Sequence, residues 1–133
     1  MKRIVSSMMM AMLLAGAAQA ATDYWDGTSG SWNAASGWST SASADTPDPA
    51  AAPGSGDVAV FNIDTLFSAQ NVSLDADQAV SKLKILGTAT GGTTLTGGGT
   101  DRTLSLGSGG IEIEAGAGPV AIGSFSGASG FCV

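Results

Sequence analysis

Pairs of apolar residues two positions apart, fenced by glycines, constrain this chain more than anything else in it. Over residues 87–123 the sequence runs TTLT before GGG, RTLSL before GSGG, IEIEA before GAGP, and then VAIG. Leu104/Leu106, Ile111/Ile113 and Val120/Ile122 recur with period two, which turns one side of a strand inward and the other outward. The outward positions carry Thr103, Ser105, Glu112 and Glu114, which suit water. Upstream, DVAVFNI sets Val58, Val60 and Asn62 against Ala59, Phe61 and Ile63. The stretch NVSLDADQAVSKLKIL adds Val72/Leu74 and Val80, then Leu83, Ile85 and Leu86 around Lys82 and Lys84. After residue 20, no segment holds apolar residues at i, i+3, i+4 and i+7 for two turns, and the frequency of glycine opposes helix. The expectation is an all-β chain.

Two closures fit that pattern. A β-sandwich spaces its strands by about 8–12 residues and joins them with hairpins. A right-handed parallel β-helix, a solenoid, places short strands between tight corners and stacks aliphatic residues inside. The progression Leu104, Ile111, Val120 and the crude repeat T-L-x-L-G-x-G-G followed by I-x-I favour the solenoid, with the sandwich as the alternative. Coils of about 20–25 residues would fit roughly three times into residues 57–123.

The ends divide the chain further. Residues 1–20 read as an export signal: Lys2 and Arg3 precede the apolar run IVSSMMMAMLLAGAA, and Ala18-Gln19-Ala20 supplies the small-x-small cleavage pattern. The run is shorter than the roughly 20 residues that span hydrocarbon, and no cationic stop-transfer flank follows. Residues 21–56 then hold Trp25, Trp32 and Trp38 and a loop over 39–56, STSASADTPDPAAAPGSG. Pro47, Pro49 and Pro53 lock φ and remove donors there, which opposes a central strand. Residues 57–133 are the expected solenoid segment, and the ending GSFSGASGFCV reads as truncated. Cleavage after Ala20 leaves Lys82, Lys84 and Arg102 against eleven acids. Such a surface repels nucleic-acid phosphates and anionic lipid. Cys132 is the sole cysteine, so no intramolecular disulfide can form.

Three stretches in fixed order, WDGTSGSWNAASGWS, PGSGDVAVFN and LTGGGTDRTLSLGSGGIEIEAGAGPVAIG, resemble the opening of autotransporter-associated β-strand repeat proteins. Those proteins carry W-D-x-x-x-x-x-W…W and then P-x-x-x-D-x-A-x-F, matched here by Pro53 to Phe61, with Val58 standing where a small residue is usual. The resemblance spans nearly all of residues 23–123. It implies a large exported bacterial protein with a right-handed parallel β-helix related to the pectin-lyase fold. It also implies further repeats, and an outer-membrane translocator or sorting tail. It carries no catalytic residues.

Candidate sites are few. The tryptophans read either as a carbohydrate platform, with Asp23 and Asp26 accepting sugar hydroxyls, or as a cap over the open end of a solenoid. The cap is favoured because terminal repeats are atypical. Asp45, Asp48 and Asp57 flank the proline loop, and Asp75 and Asp77 sit in a turn; side-chain bonding to the turn backbone explains them better than calcium does. Histidine is absent, removing the usual general base and metal ligand. Glu112 and Glu114 stand about 6.5–7 Å apart along a strand, near the inverting glycosidase separation. Their outward position reads more simply as protection of a sheet edge. The sequon Asn71-Val72-Ser73 matters only in a glycosylating host. The expectation is therefore an exported structural or surface-display protein with no catalytic site, metal or cofactor. Its partner would be an undefined surface or glycan, the alternative being a carbohydrate-binding module. The isolated chain is expected to be marginally stable, prone to aggregate, and able to dimerise through Cys132.

Overall fold

In a computed structural model of the chain, residues 20–63 and 68–123 are described. They form nine strands: β1 (Thr22–Trp25), β2 (Ser29–Ser31), β3 (Trp38–Ser39), β4 (Val58–Phe61), β5 (Gln70–Ser73), β6 (Gln78–Ile85), β7 (Thr93–Thr96), β8 (Leu104–Ile113) and β9 (Val120–Ile122). One 3-10 turn, Ala35–Gly37, precedes β3. The chain is all-β, as its period-two pattern requires.

The strands alternate between two sheets. One has the order β3-β1-β4-β6-β8 and the other β2-β5-β7-β9. Every pairing is parallel except β1 with β3. A sandwich built from hairpins is not what these residues form. Nor do they form a closed solenoid: the sheets are one mixed and one parallel, and each ends in free edges. The turns between them, rich in glycine and threonine, carry local hydrogen bonds such as Gly92 N to Ala89 O at 3.1 Å and single bonds to the next turn such as Gly118 N to Ala89 O at 2.9 Å.

Parallel register stacks like on like. In the first sheet, Trp25, Phe61, Ile85 and Ile113 form one inward row, and Asp23, Ala59, Leu83 and Ile111 another. The outward row between them is Tyr24, Val60, Lys84 and Glu112. In the second sheet, Gly30, Val72, Leu95 and Ile122 share a row. Successive partners from β4 onward are 23 to 28 positions apart, as in Gln70↔Thr93 and Lys82↔Gly110. The core lies between the sheets, with Val72, Leu74, Val80, Leu83, Ile85, Leu95 and Leu104 all buried.

Two sequence expectations change. GSGG does not separate two strands: Leu104/Leu106 and Ile111/Ile113 belong to one strand, β8. Its register to β6 slips between Val80 and Lys82, which leaves two extra residues on β8. A β-bulge absorbs extra residues without ending the ladder. Ile111 and Ile113 do face inward, but they remain 39% and 53% exposed because β8 is the last strand of its sheet. The expected loop over 39–56 is present apart from Ser39, which closes β3. The leader (save Ala20), Phe131 and Cys132 lie outside the described residues.

Candidate functional site: the aromatic end, the acids and the open edge

The tryptophans are interior. Trp25, Trp32 and Trp38 are at most 1% exposed. Trp38 meets Trp25 and Trp32 edge-on, with ring centroids 5.2 and 4.9 Å away. It also meets Phe61 edge-on at 5.4 Å. Edge-to-face pairs add about 0.5–1.5 kcal/mol each beyond the area they bury. The Trp38 indole N–H donates to the Trp32 carbonyl at 2.8 Å, and the Trp32 N–H reaches the Pro53 carbonyl at 3.4 Å. The proline loop therefore finishes the cluster, with Pro53 itself buried.

Gly37 lies so close to Trp25 that a Cβ there would be 2.9 Å from two of its ring carbons. Small residues between the tryptophans are thus what allow three indoles to pack within so short a stretch. A sugar platform needs an exposed aromatic face, and these rings offer none. β1 and β2 are the first strands of their parallel ladders, and β3 covers the outer edge of β1.

The acids near this end divide by environment. Asp23 is 2% exposed and its Oδ1 has no partner. Burial, and then the charge of Asp57, pushes its carboxyl above the usual range. It is too enclosed to accept a hydroxyl from outside. Asp26 is also pushed up, by partial burial and then by Asp48 and Asp45, against a lowering backbone hydrogen bond. Asp57 accepts from Ala21 N at 2.9 Å and Gly54 N at 2.8 Å. Asp75 accepts from Ser73 Oγ at 3.1 Å, and Asp77 accepts from Thr103 N at 2.9 Å. Only the Gly54 bond is the local turn bond expected of aspartate; Asp57 and Asp77 also tie segments 36 and 26 positions apart, and Asp75 bonds a side chain. Among the described residues, no group of three or more acids, cysteines or histidines is placed to hold a metal ion.

At the far end, sequence reasoning missed a partner set. Glu112 does not simply face water: it pairs with Lys82, and with Lys84 at 3.6 Å. Glu114 pairs with Lys84 at 2.8 Å and accepts from Gly87 N at 3.0 Å. The hydrogen bonds and charges of the lysines hold both carboxyls below their usual range. A general acid needs the opposite perturbation. Alternating Lys-x-Lys and Glu-x-Glu was visible in the sequence, and parallel stacking of the two strands is the signal that joins them.

A further polar group lies at the turn after β4. Gln70 Nε2 donates to Asn62 Oδ1, and Asn62 Nδ2 donates to the Thr88 carbonyl at 3.3 Å. Asn62 and Gln70 are fully buried, so this bridge ties one corner to the next. Asn71 of the sequon is exposed on β5.

Comparison with known proteins finds no matching family, no similar curated protein and no similar solved structure.

Proposed function

We infer that this chain is an exported, non-catalytic structural segment that displays a β-repeat surface outside the cell, built as the opening of a right-handed parallel β-helix. The observation that carries the reading is the stacking: aromatic or aliphatic residues stand on one another through four strands of one sheet, from Trp25 to Ile113. Spacings of 23 to 28 residues between partners match the length of a solenoid coil. Right-handed crossovers are the rule for parallel strands joined within one sheet. The aromatic cluster acts as the cap of that array, and β3 protects its first edge. The resemblance to autotransporter-associated repeat proteins, the leader over residues 1–20 and the acidic surface favour a cell-surface location. Its partner is a surface or a glycan rather than nucleic acid.

The test is to express the whole gene in a Gram-negative host, fractionate the cells, and probe intact cells with protease. The expected result is protein outside the inner membrane, with no saturable shift of tryptophan fluorescence across a panel of oligosaccharides. Retention in the cytoplasm would defeat the display reading. A saturable fluorescence shift would favour the carbohydrate-binding module instead.

A further inference from the structure

The first described residues hold an electrostatic arrangement that lacks a cation. Ala21 is fixed on both sides: its carbonyl accepts from Val58 N at 2.8 Å, and its N–H donates to Asp57 Oδ1 at 2.9 Å. Two residues on, Asp23 is almost wholly enclosed, with Oδ1 unpartnered. Asp23 pairs with Ala59, two residues past Asp57, and burial first, then the charge of Asp57, raises the Asp23 carboxyl. The strands flanking β1 bring no positive charge: β3 is Trp38–Ser39 and β4 is Val58–Phe61. Lys82 and Lys84 are engaged by Glu112 and Glu114 on the far strands. Two carboxylates therefore share this corner with a neutral amide, although an enclosed carboxylate calls for a charged or fully hydrogen-bonded partner.

We propose that cleavage of the Ala20–Ala21 peptide bond creates the missing cation, and that Asp57 together with Asp23 forms a binding site for the resulting Ala21 ammonium. The step is a hydrolysis with water as co-reactant. The C–N bond breaks, the Ala20 carbonyl carbon takes the hydroxyl, and the new carboxylic acid gives up its proton. The Ala21 amine ends protonated. Its nitrogen already lies at ion-pair distance from Asp57, so no rearrangement is needed to gain the pair. Charge-assisted hydrogen bonds are roughly twice as strong as neutral ones. Removal of the leader thus completes the amino-terminal corner of the fold, where among the described residues the uncleaved amide brings no charge to the acids. The inference rests on the reading of residues 1–20 as an export signal.

The sign of the pH dependence follows. An α-amine held by carboxylates has its pKa raised above the usual range of about 7.7–8.0. Its stabilisation is complete below that range and is lost as pH rises through the raised value.

The test uses the full chain exported from cells. Intact mass settles the cleaved bond, and the α-amine is then dimethylated with carbon-13, which keeps its charge, and titrated by NMR. The expected mass begins at Ala21, and the amine titrates above its usual range of about 7.7–8.0. Enzymatic acetylation of that amine lowers the thermal midpoint at pH 7. Asp57→Asn abolishes the difference between free and acetylated forms. Because Asp57 also holds Gly54 N, Asp23→Asn serves as a second variant, and it brings the amine back toward its usual range without touching that bond. A mass beginning elsewhere overturns the leader reading and the proposal with it. A mass beginning at Ala21 with an ordinary amine titration, indifferent to acetylation, overturns the ammonium site alone.

Discussion

At the scale of single residues, the tryptophans and the partly buried acids make opposite contributions. Trp38 touches Trp25, Trp32 and Phe61 and spends its N–H on the Trp32 carbonyl. Trp38→Ala should cost about 3–5 kcal/mol, the usual range for emptying a buried aromatic site, read as a lower urea midpoint. A loss under about 0.5 kcal/mol, as surface substitutions give, would place that ring outside the core. Asp26 works the other way. Its carboxyl is raised by burial, Asp48 and Asp45, so its favourable contribution is complete at low pH and disappears as pH rises through the raised value. Asp26→Asn should therefore raise the thermal midpoint at pH 7 and give no gain near pH 3, below the usual carboxylate range. Thermal melts at the two pH values decide it.

At the scale of elements, β8 shows what the sequence could and could not convey. Period two identified Leu104, Leu106, Ile111 and Ile113 as inward residues, and burial follows the pattern at Leu104. Glycines between two such pairs read equally as a corner or as a bulge, because the choice depends on how β6 packs beside them. The structure chooses the bulge: a Cβ on Gly109 would fall 2.7 Å from the Lys82 Cβ and 2.8 Å from the Ser81 carbonyl oxygen. Gly109→Ala should destabilise by about 1–3 kcal/mol through overpacking, whereas Ser108→Ala, at an exposed position of the same bulge, should be nearly silent in the same urea titration. Register also hid the lysine–glutamate ladder, since Lys84 and Glu112 are 28 positions apart and meet only through strand pairing. Glu112 and Glu114 are held below their usual range by Lys82 and Lys84, so their contribution is present above that range and fades as pH falls through the lowered values. Lys84→Met should lower the thermal midpoint slightly at pH 7. The difference should vanish near pH 2, and also in about 1 M salt, where screening is nearly complete.

At the scale of the whole molecule, the two ends of the stack are unlike. One is closed by β3, by three indoles and by the proline loop that receives the Trp32 N–H. The other ends on β8, which among the described residues has no strand on its outer side and leaves Ile111 and Ile113 half uncovered. A long edge with exposed aliphatics invites pairing between copies. The formal charge of −6 on the full chain opposes that approach, and salt weakens the opposition by shortening the screening length. Association should therefore rise with ionic strength, the reverse of what an ion-paired interface would show. Ile113→Glu adds a charge at the most exposed of these aliphatics, while its row neighbour Ile85 stays fully buried. The variant should keep the parent's melting transition and remain monomeric in sedimentation velocity from about 50 mM to 500 mM salt, a range over which screening changes severalfold. If it associates as the parent does, the contact lies elsewhere on the molecule. If it loses its cooperative transition, Ile113 belongs to the core despite its exposure, and the open edge is a structural layer rather than a surface.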